Sequence, residues 1–248
     1  MRSFLPLVSV LAAGCVFPAY KASKVVELTL PVEKLQELAC ESHNGAITVT
    51  GDAAATDISL RAELSVRGYT QSEANSNLEL LEVGREENGG TLRIFGKYPS
   101  GTLDNLSPGF TFTLKVPQRF AVRLVSHNGD ITANDIDGAA TIETHNGDIG
   151  GALRGRRVSA TTHNGNVGLR LSCEGALDGE ARSHNGDIDL AIAESAGTRL
   201  EATTQNGRIT PPAKLADATI GKSSLACRLG DGKGRFVIDT HNGNVVIR

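Results

Sequence analysis

The chain has no tryptophan, and aromatic residues make up only 4% of its 248 residues. With three tyrosines and no indole, it has little from which to build an aromatic platform for sugars. Lys and Arg never form a run, and the net charge is −3, which argues against nucleic acid as a partner. No apolar stretch approaches the ~20 residues that a membrane-spanning helix needs. The four cysteines form no C-x-x-C and show no regular spacing, so neither a disulfide framework nor a zinc ribbon is expected. Cys40, Cys173 and Cys227 read as single buried thiols. Neither G-x-S-x-G nor H-E-x-x-H occurs, and no residue stands out as catalytic. The Gly-rich stretch from Gly230 to Gly234 lacks phosphate-loop spacing and reads as a β-turn.

Glycine is abundant, at 28 residues, which suits many short strands joined by turns better than long helices. One six-residue motif recurs seven times, beginning at Ser42, Ser126, Thr144, Thr162, Ser183, Thr204 and Thr240. It reads Ser/Thr-His-Asn-Gly-x-Ile/Val, with Gln205 replacing His in one copy. All six histidines of the chain, His43, His127, His145, His163, His184 and His241, lie in it. The turn pairs are Asn44-Gly45, Asn128-Gly129, Asn146-Gly147, Asn164-Gly165, Asn185-Gly186, Asn206-Gly207 and Asn242-Gly243. From His127 onward the spacings are 18, 18, 21, 21 and 36 residues. The last reads as two periods with a degenerate copy between them.

Columns beside the motif separate inside from outside. Three residues before the His stand Cys40, Leu124, Ile142, Ala160, Ala181, Ala202 and Ile238. Ile or Val follows at the fourth position after it. Apolar residues thus alternate along both flanks, as in strands with one buried face, and the His and the residue after Gly point outward. Asn-Gly suits a turn that needs positive φ. A second glycine turn falls about ten residues later, at Gly138, Gly155, Gly175 and Gly197. The expected fold is all-β: a flattened, repetitive β-solenoid with coils of 18–21 residues. Residues 120–248 carry its regular repeats and residues 25–119 a less regular part of the same β-domain. Within the latter, Asp57–Arg67 and Thr91–Lys97 alternate like strands, Thr70–Leu81 is a short helix or loop, and Tyr98–Gly109 is a long loop.

The Asn-Gly-Asp-Ile repeats at 128–131, 146–149 and 185–188 resemble those of the bacterial adhesin, or toast-rack, β-solenoid family. That resemblance implies an extracytoplasmic binding, adhesion or envelope-stress scaffold, with no cofactor and no catalytic residues to carry over. The insistence on His before Asn-Gly departs from the family pattern.

The N-terminus resembles a bacterial lipoprotein signal. Arg2 precedes a short apolar run from Phe4 to Ala13, and Leu11-Ala12-Ala13-Gly14 leads into Cys15. Residues 1–14 are then the signal peptide, Cys15 the lipidated residue, and residues 15–24 a tether. The alternative is an ordinary secretory signal cleaved near Ala13. By analogy with lipoprotein sorting, Val16 favours the outer membrane, facing the periplasm or the cell surface. The implied partners are the membrane, through the lipid, and envelope proteins or cell-surface glycans.

His127, His145, His163 and His184 form the candidate ligand face. Equivalent residues of adjacent coils sit ~4.8 Å apart, so these rings form a ladder beside Asp130, Asp148 and Asp187. A structural role would have each imidazole bond a neighbouring turn and pair with the acid across it, while the Asn stack. A metal-binding role would use the rings as Zn²⁺ or Cu²⁺ ligands in the periplasm. A polysaccharide-active β-helix enzyme is the other alternative, and it needs acids clustered in a groove.

Overall fold

The computed structural model describes residues 17–101 and 103–248. The proposed signal peptide and Cys15 lie outside them. The N-terminal part comprises β1 (Tyr20–Pro31), β2 (Glu37–Asn44), β3 (Ile47–Asp52), β4 (Asp57–Gly68), helix α1 (Gln71–Glu79), β5 (Glu82–Asn88), β6 (Thr91–Lys97) and β7 (Gly109–Pro117). The repeats follow as β8 (Ala121–Asn128), β9 (Ile131–Ile136), β10 (Ala140–Asn146), β11 (Ile149–Leu153), β12 (Arg157–Asn164), β13 (Val167–Leu171), β14 (Gly175–Ala176), β15 (Asp178–Asn185), β16 (Ile188–Ile192), β17 (Ala196–Asn206) and β18 (Ile209–Thr210). The last strands are β19 (Ala216–Ile220), β20 (Ser224–Leu229), β21 (Gly234–Asn242) and β22 (Val245–Ile247).

These strands form a 12-stranded and a 10-stranded sheet that enclose one apolar layer. Each coil lays one strand in the larger sheet, turns at Asn-Gly, and lays the next in the smaller sheet. Strands of successive coils pair in parallel and in register, Asn on Asn. The inward columns are the expected ones: Leu124, Ile142, Ala160, Ala181 and Ile238 are buried, as are Ile131, Ile149, Val167 and Ile188. The fold is the all-β repetitive solenoid that the periodicity implied.

Four details differ from the sequence reading. The first copy of the motif does not belong to an irregular region: β2 pairs in parallel with β8, and β3 with β9. It is a full coil, separated from the next by a long excursion that builds a cap. In the cap, β7 joins β3 in parallel and β4 and β1 extend the smaller sheet from it in antiparallel fashion, while β5 and β6 form a hairpin on the larger one. Phe110, Phe112 and Phe120 fill the space that alanines leave thin further along. Helix α1 closes this end with Ala74 and Leu78 buried, its first turn fixed by the Thr70 hydroxyl accepting from the Glu73 amide at 3.1 Å.

Strand β1 begins at Tyr20, inside the expected tether, because its whole length pairs with β4. The third difference is at the other end. The 36-residue step from Gln205 to His241 holds no degenerate coil. It holds the antiparallel pair β19–β20, which pairs onto β17. Strand β21 then returns to sit between β15 and β17. The coil containing His241 is therefore sixth in space although seventh in the chain, and the C-terminal strand β22 lies between β16 and β18 rather than at an open end.

The fourth difference concerns glycine. Only Gly45 (φ 139°) and Gly186 (φ 159°) of the motif glycines have positive φ, and no motif Asn does. What demands glycine is close stacking. A Cβ on Gly129 would land on the carbonyl oxygen of Gly45, one on Gly147 on that of Gly129, and one on Gly165 on that of Gly147. The same holds at Gly186, Gly243 and Gly207.

Candidate functional site

The Ser/Thr-His-Asn-Gly corner runs along one edge of the solenoid, and each of its columns has a separable task. The Ser or Thr hydroxyl is buried and donates to the glycine carbonyl of the preceding coil: Thr144 to Gly129 at 3.0 Å, Thr162 to Gly147 at 2.9 Å, Ser183 to Gly165 at 2.8 Å, Thr240 to Gly186 at 2.9 Å. The Asn amides form a continuous chain. Asn128 donates to Asn44, Asn146 to Asn128, Asn164 to Asn146, Asn185 to Asn164, Asn242 to Asn185 and Asn206 to Asn242, every step 2.8 Å. At its first rung the Asn44 amide donates to the Pro108 carbonyl at 3.2 Å.

The residue after glycine accepts a backbone amide from the next coil. The Asp148 N–H donates to Asp130 Oδ1 at 2.8 Å, that of Asn166 to Asp148 at 2.7 Å, and that of Asp187 to Asn166 at 2.8 Å. Asp or Asn serves equally because only an acceptor oxygen is used. A pairing of these acids with the imidazoles is the arrangement expected from the sequence for a structural role. Instead they are engaged with the backbone, and no ion pair joins one to a His among the described residues.

The imidazoles stack on one another. Ring centroids are 4.8 Å apart for His43 and His127, 4.9 Å for His127 and His145, and 4.8 Å for the next three pairs, with interplanar angles of 12° or less. Five such steps carry the column over roughly 24 Å along the solenoid. The structure gathers all four predicted ladder residues and adds His43 and His241 at the two ends. In the chain, long excursions separate these two from the regular repeats, so spacing alone does not join them to the ladder. Gln205 follows His241 at the edge.

Beside the ladder runs an open groove of about 560 Å³ on the outward face of the larger sheet. Its wall is His145, His163, His184, Gln205 and His241, and its floor includes Glu143, Thr161, Arg182 and Asp239. Asp239 accepts from the Thr203 hydroxyl, and Arg182 pairs with Glu180 at 3.0 Å. Further along this face Glu41 and Arg93 form a two-bond ion pair, which holds the Glu41 carboxyl below its ordinary range. The three cysteines within the described residues are free and buried, and burial pushes their thiols up, away from the reactive thiolate.

No protein-family model matches the chain, and no curated protein matches its sequence. Solved structures do match it in shape. A "putative cell adhesion protein" from Clostridium sporogenes ATCC 15579 aligns over 91% of this chain and 99% of its own, at 11% identity and a TM-score of 0.53. A "putative adhesin" from Bacteroides fragilis NCTC 9343 covers 91% and 97% at 11% identity, with a TM-score of 0.35. A "putative lipid binding protein" from Parabacteroides distasonis ATCC 8503 covers 91% and 97% at 13% identity, with a TM-score of 0.39. At such identities the first of these speaks for a shared fold. That shared fold is an all-β repetitive solenoid, as the Asn-Gly-Asp-Ile repeats implied.

Proposed function

We propose that the chain is a lipid-anchored protein of the bacterial cell envelope that binds or adheres through the outward face of its larger sheet, without catalysis. The observation that carries this reading is the corner. Its hydroxyls, amides and post-glycine acids are all engaged in holding coil to coil, so repetition serves a rigid, extended face. The shared fold with a protein named for cell adhesion supports the same reading.

The arrangement of acids disfavours the glycan-cleaving alternative. Glu143 and Asp239 flank the groove from β10 and β21, which are three strand steps apart through β12 and β15. At ~4.8 Å per step that is ~14 Å, whereas glycosidase carboxyls lie roughly 5–9.5 Å apart. The resemblance of residues 11–15 to a lipobox supplies the anchor, with Cys15 as the acylated residue and the outer membrane as its location.

Two measurements test the reading. Full-length chain made in bacteria fed an alkyne fatty acid is expected to carry the label and to lose it in Cys15→Ala. Cells displaying the full chain are expected to attach to surfaces coated with envelope glycans. Thr161→Glu together with Val125→Glu, on the outward face, is expected to reduce that attachment. No attachment by displaying cells, or release of reducing ends from the glycan, would overturn the proposal.

A further inference from the structure

Every polar column of the corner has an inter-coil hydrogen-bond partner except one. The side-chain bonds run through Ser/Thr, Asn and the residue after glycine, and none of them uses an imidazole. The rings are exposed, His241 excepted as half-buried. Stacking occupies their faces and leaves their edges, where the nitrogen lone pairs lie, directed away from the stack. A ladder kept for stacking alone has no use for such nitrogens.

One place along the ladder adds a third ligand. Glu143 lies two residues before His145 on β10, so both side chains stand on the same outward face. His163 stacks on His145 at 4.8 Å, and all three line the groove. Glu143 takes part in no ion pair or side-chain hydrogen bond among the described residues, unlike Glu41 with Arg93 and Asp239 with Thr203. The corresponding position beside His184 is Arg182, a cation that repels a metal there. Beside His163 it is the neutral Thr161, and beside His127 it is Val125.

We propose that His145, His163 and Glu143 form a binding site for one divalent transition-metal ion, Zn²⁺ or Cu²⁺, with water completing the shell. Two imidazoles and a carboxylate are a donor set both ions accept. The site is not assembled in advance, since no three His, Cys, Asp or Glu side chains converge on one point among the described residues. Parallel rings 4.8 Å apart hold their nitrogens too far apart for one ion, because two metal–nitrogen bonds of ~2.1 Å span ~3.4 Å at a tetrahedral angle and at most ~4.2 Å in line. The two rings lean together when the ion enters, which an exposed pair can do by small side-chain rotations. This site is independent of what the sheet face adheres to.

The test is calorimetry of the full chain with ZnCl₂ and with CuCl₂, and electron paramagnetic resonance of the copper form. One strongest ion per chain is expected, with two nitrogen couplings on copper. Glu143→Gln is expected to weaken it by more than the roughly 10- to 100-fold that loss of an outer-shell partner costs, because Glu143 is itself a ligand. His163→Gln is expected to remove one nitrogen coupling, and His127→Gln to leave both affinity and couplings unchanged. Gln stands in this column at Gln205, so these variants keep the corner, which far-ultraviolet circular dichroism checks. The proposal is overturned if no heat appears. It is equally overturned if His127→Gln weakens binding as much as His163→Gln does, which would make metal uptake a property of any two rungs.

Discussion

At the Asn-Gly corner every coil places two residues between its strands, whereas the opposite corner has three after Ile136, Leu153, Leu171 and Ile192, and beyond Leu171 the returning strand is broken at Leu177 into β14 and β15. The first corner is fastened to its neighbour by the Asn chain, the Ser/Thr hydroxyls and the glycine stack, so an extra residue there would displace three sets of bonds together. The second corner has no common rule. Its four glycines answer three different needs: Gly138 and Gly155 lie against the backbone carbonyls of Phe120 and Gly138, Gly197 lies against the Asp231 carboxylate, and Gly175 takes φ 83° in open space. The step from 18 to 21 residues is absorbed there, where β14 pairs with the start of the lengthened β17. Variation in length collects where backbone bonds such as those from the Arg154 and Ser172 amides to the Ile136 and Leu153 carbonyls hold the coils but no side-chain column repeats from coil to coil.

The largest effect that separates the two corners is insertion. Three residues placed between Gly147 and Asp148 are expected to abolish cooperative urea unfolding or to cost more than about 3 kcal/mol. Three placed between Arg154 and Gly155 are expected to cost about 1 kcal/mol or less. Equal losses would end the distinction. Next comes glycine itself. Gly147→Ala pushes a methyl into the Gly129 carbonyl and is expected to cost about 2 kcal/mol. Gly168→Ala, in strand β13 with nothing near its Cβ, is expected to gain about 0.5 kcal/mol. A denaturation midpoint unchanged in both variants would refute the close-stacking account.

Smaller still is the hydroxyl column. Thr162→Val leaves the Gly147 carbonyl without its donor and is expected to cost about 1–2 kcal/mol. Thr161→Val, one residue away on the outward face, is expected to stay within about 0.5 kcal/mol. The smallest effect belongs to the exposed face, away from either corner. Arg93 depresses the Glu41 carboxyl, so the pair's contribution is complete above the ordinary carboxylate range and fades as pH falls through the lowered value. Both side chains are about 40% exposed, so the loss on acidification is a few tenths of a kcal/mol. Arg93→Met is expected to flatten that part of the pH–stability curve, and an unchanged slope would remove the pair from the account.

Much of this was legible in the chain because the repeat's columns report which side of a strand meets the core. The buried Ala160 and Ala181, the outward His, and the Asn stack follow from parity alone. Three things did not. Glycine in Asn-Gly reads locally as a turn residue, and its clash with the next coil's carbonyl becomes visible only once coils are stacked. The ladder of histidines at ~4.8 Å follows from the repeat, but a spacing cannot tell rings that face one another from rings that bond a turn and pair with the acids. The stacking order was hidden for a deeper reason. Every corner offers the same Asn, Gly and Ser/Thr surface, so the corner of β21 fits on β15 as well as that of β17 does. The hairpin β19–β20 and the length of β17 decide between them, and neither carries the motif.

That exchanged order has a consequence for how the molecule is made. A chain growing from its N-terminus can lay each coil on the one before it as far as β16. The place beside β15 must then stay vacant, or be taken provisionally by β17, until Gly234–Ile247 arrives from 57 residues further along. Whichever happens, the step is a long-range closure, and such closures are slow and leave strand edges bare in the interval. Segment 234–247 therefore acts as a keystone, and the time before it is seated is when a second chain's β21 could take its place.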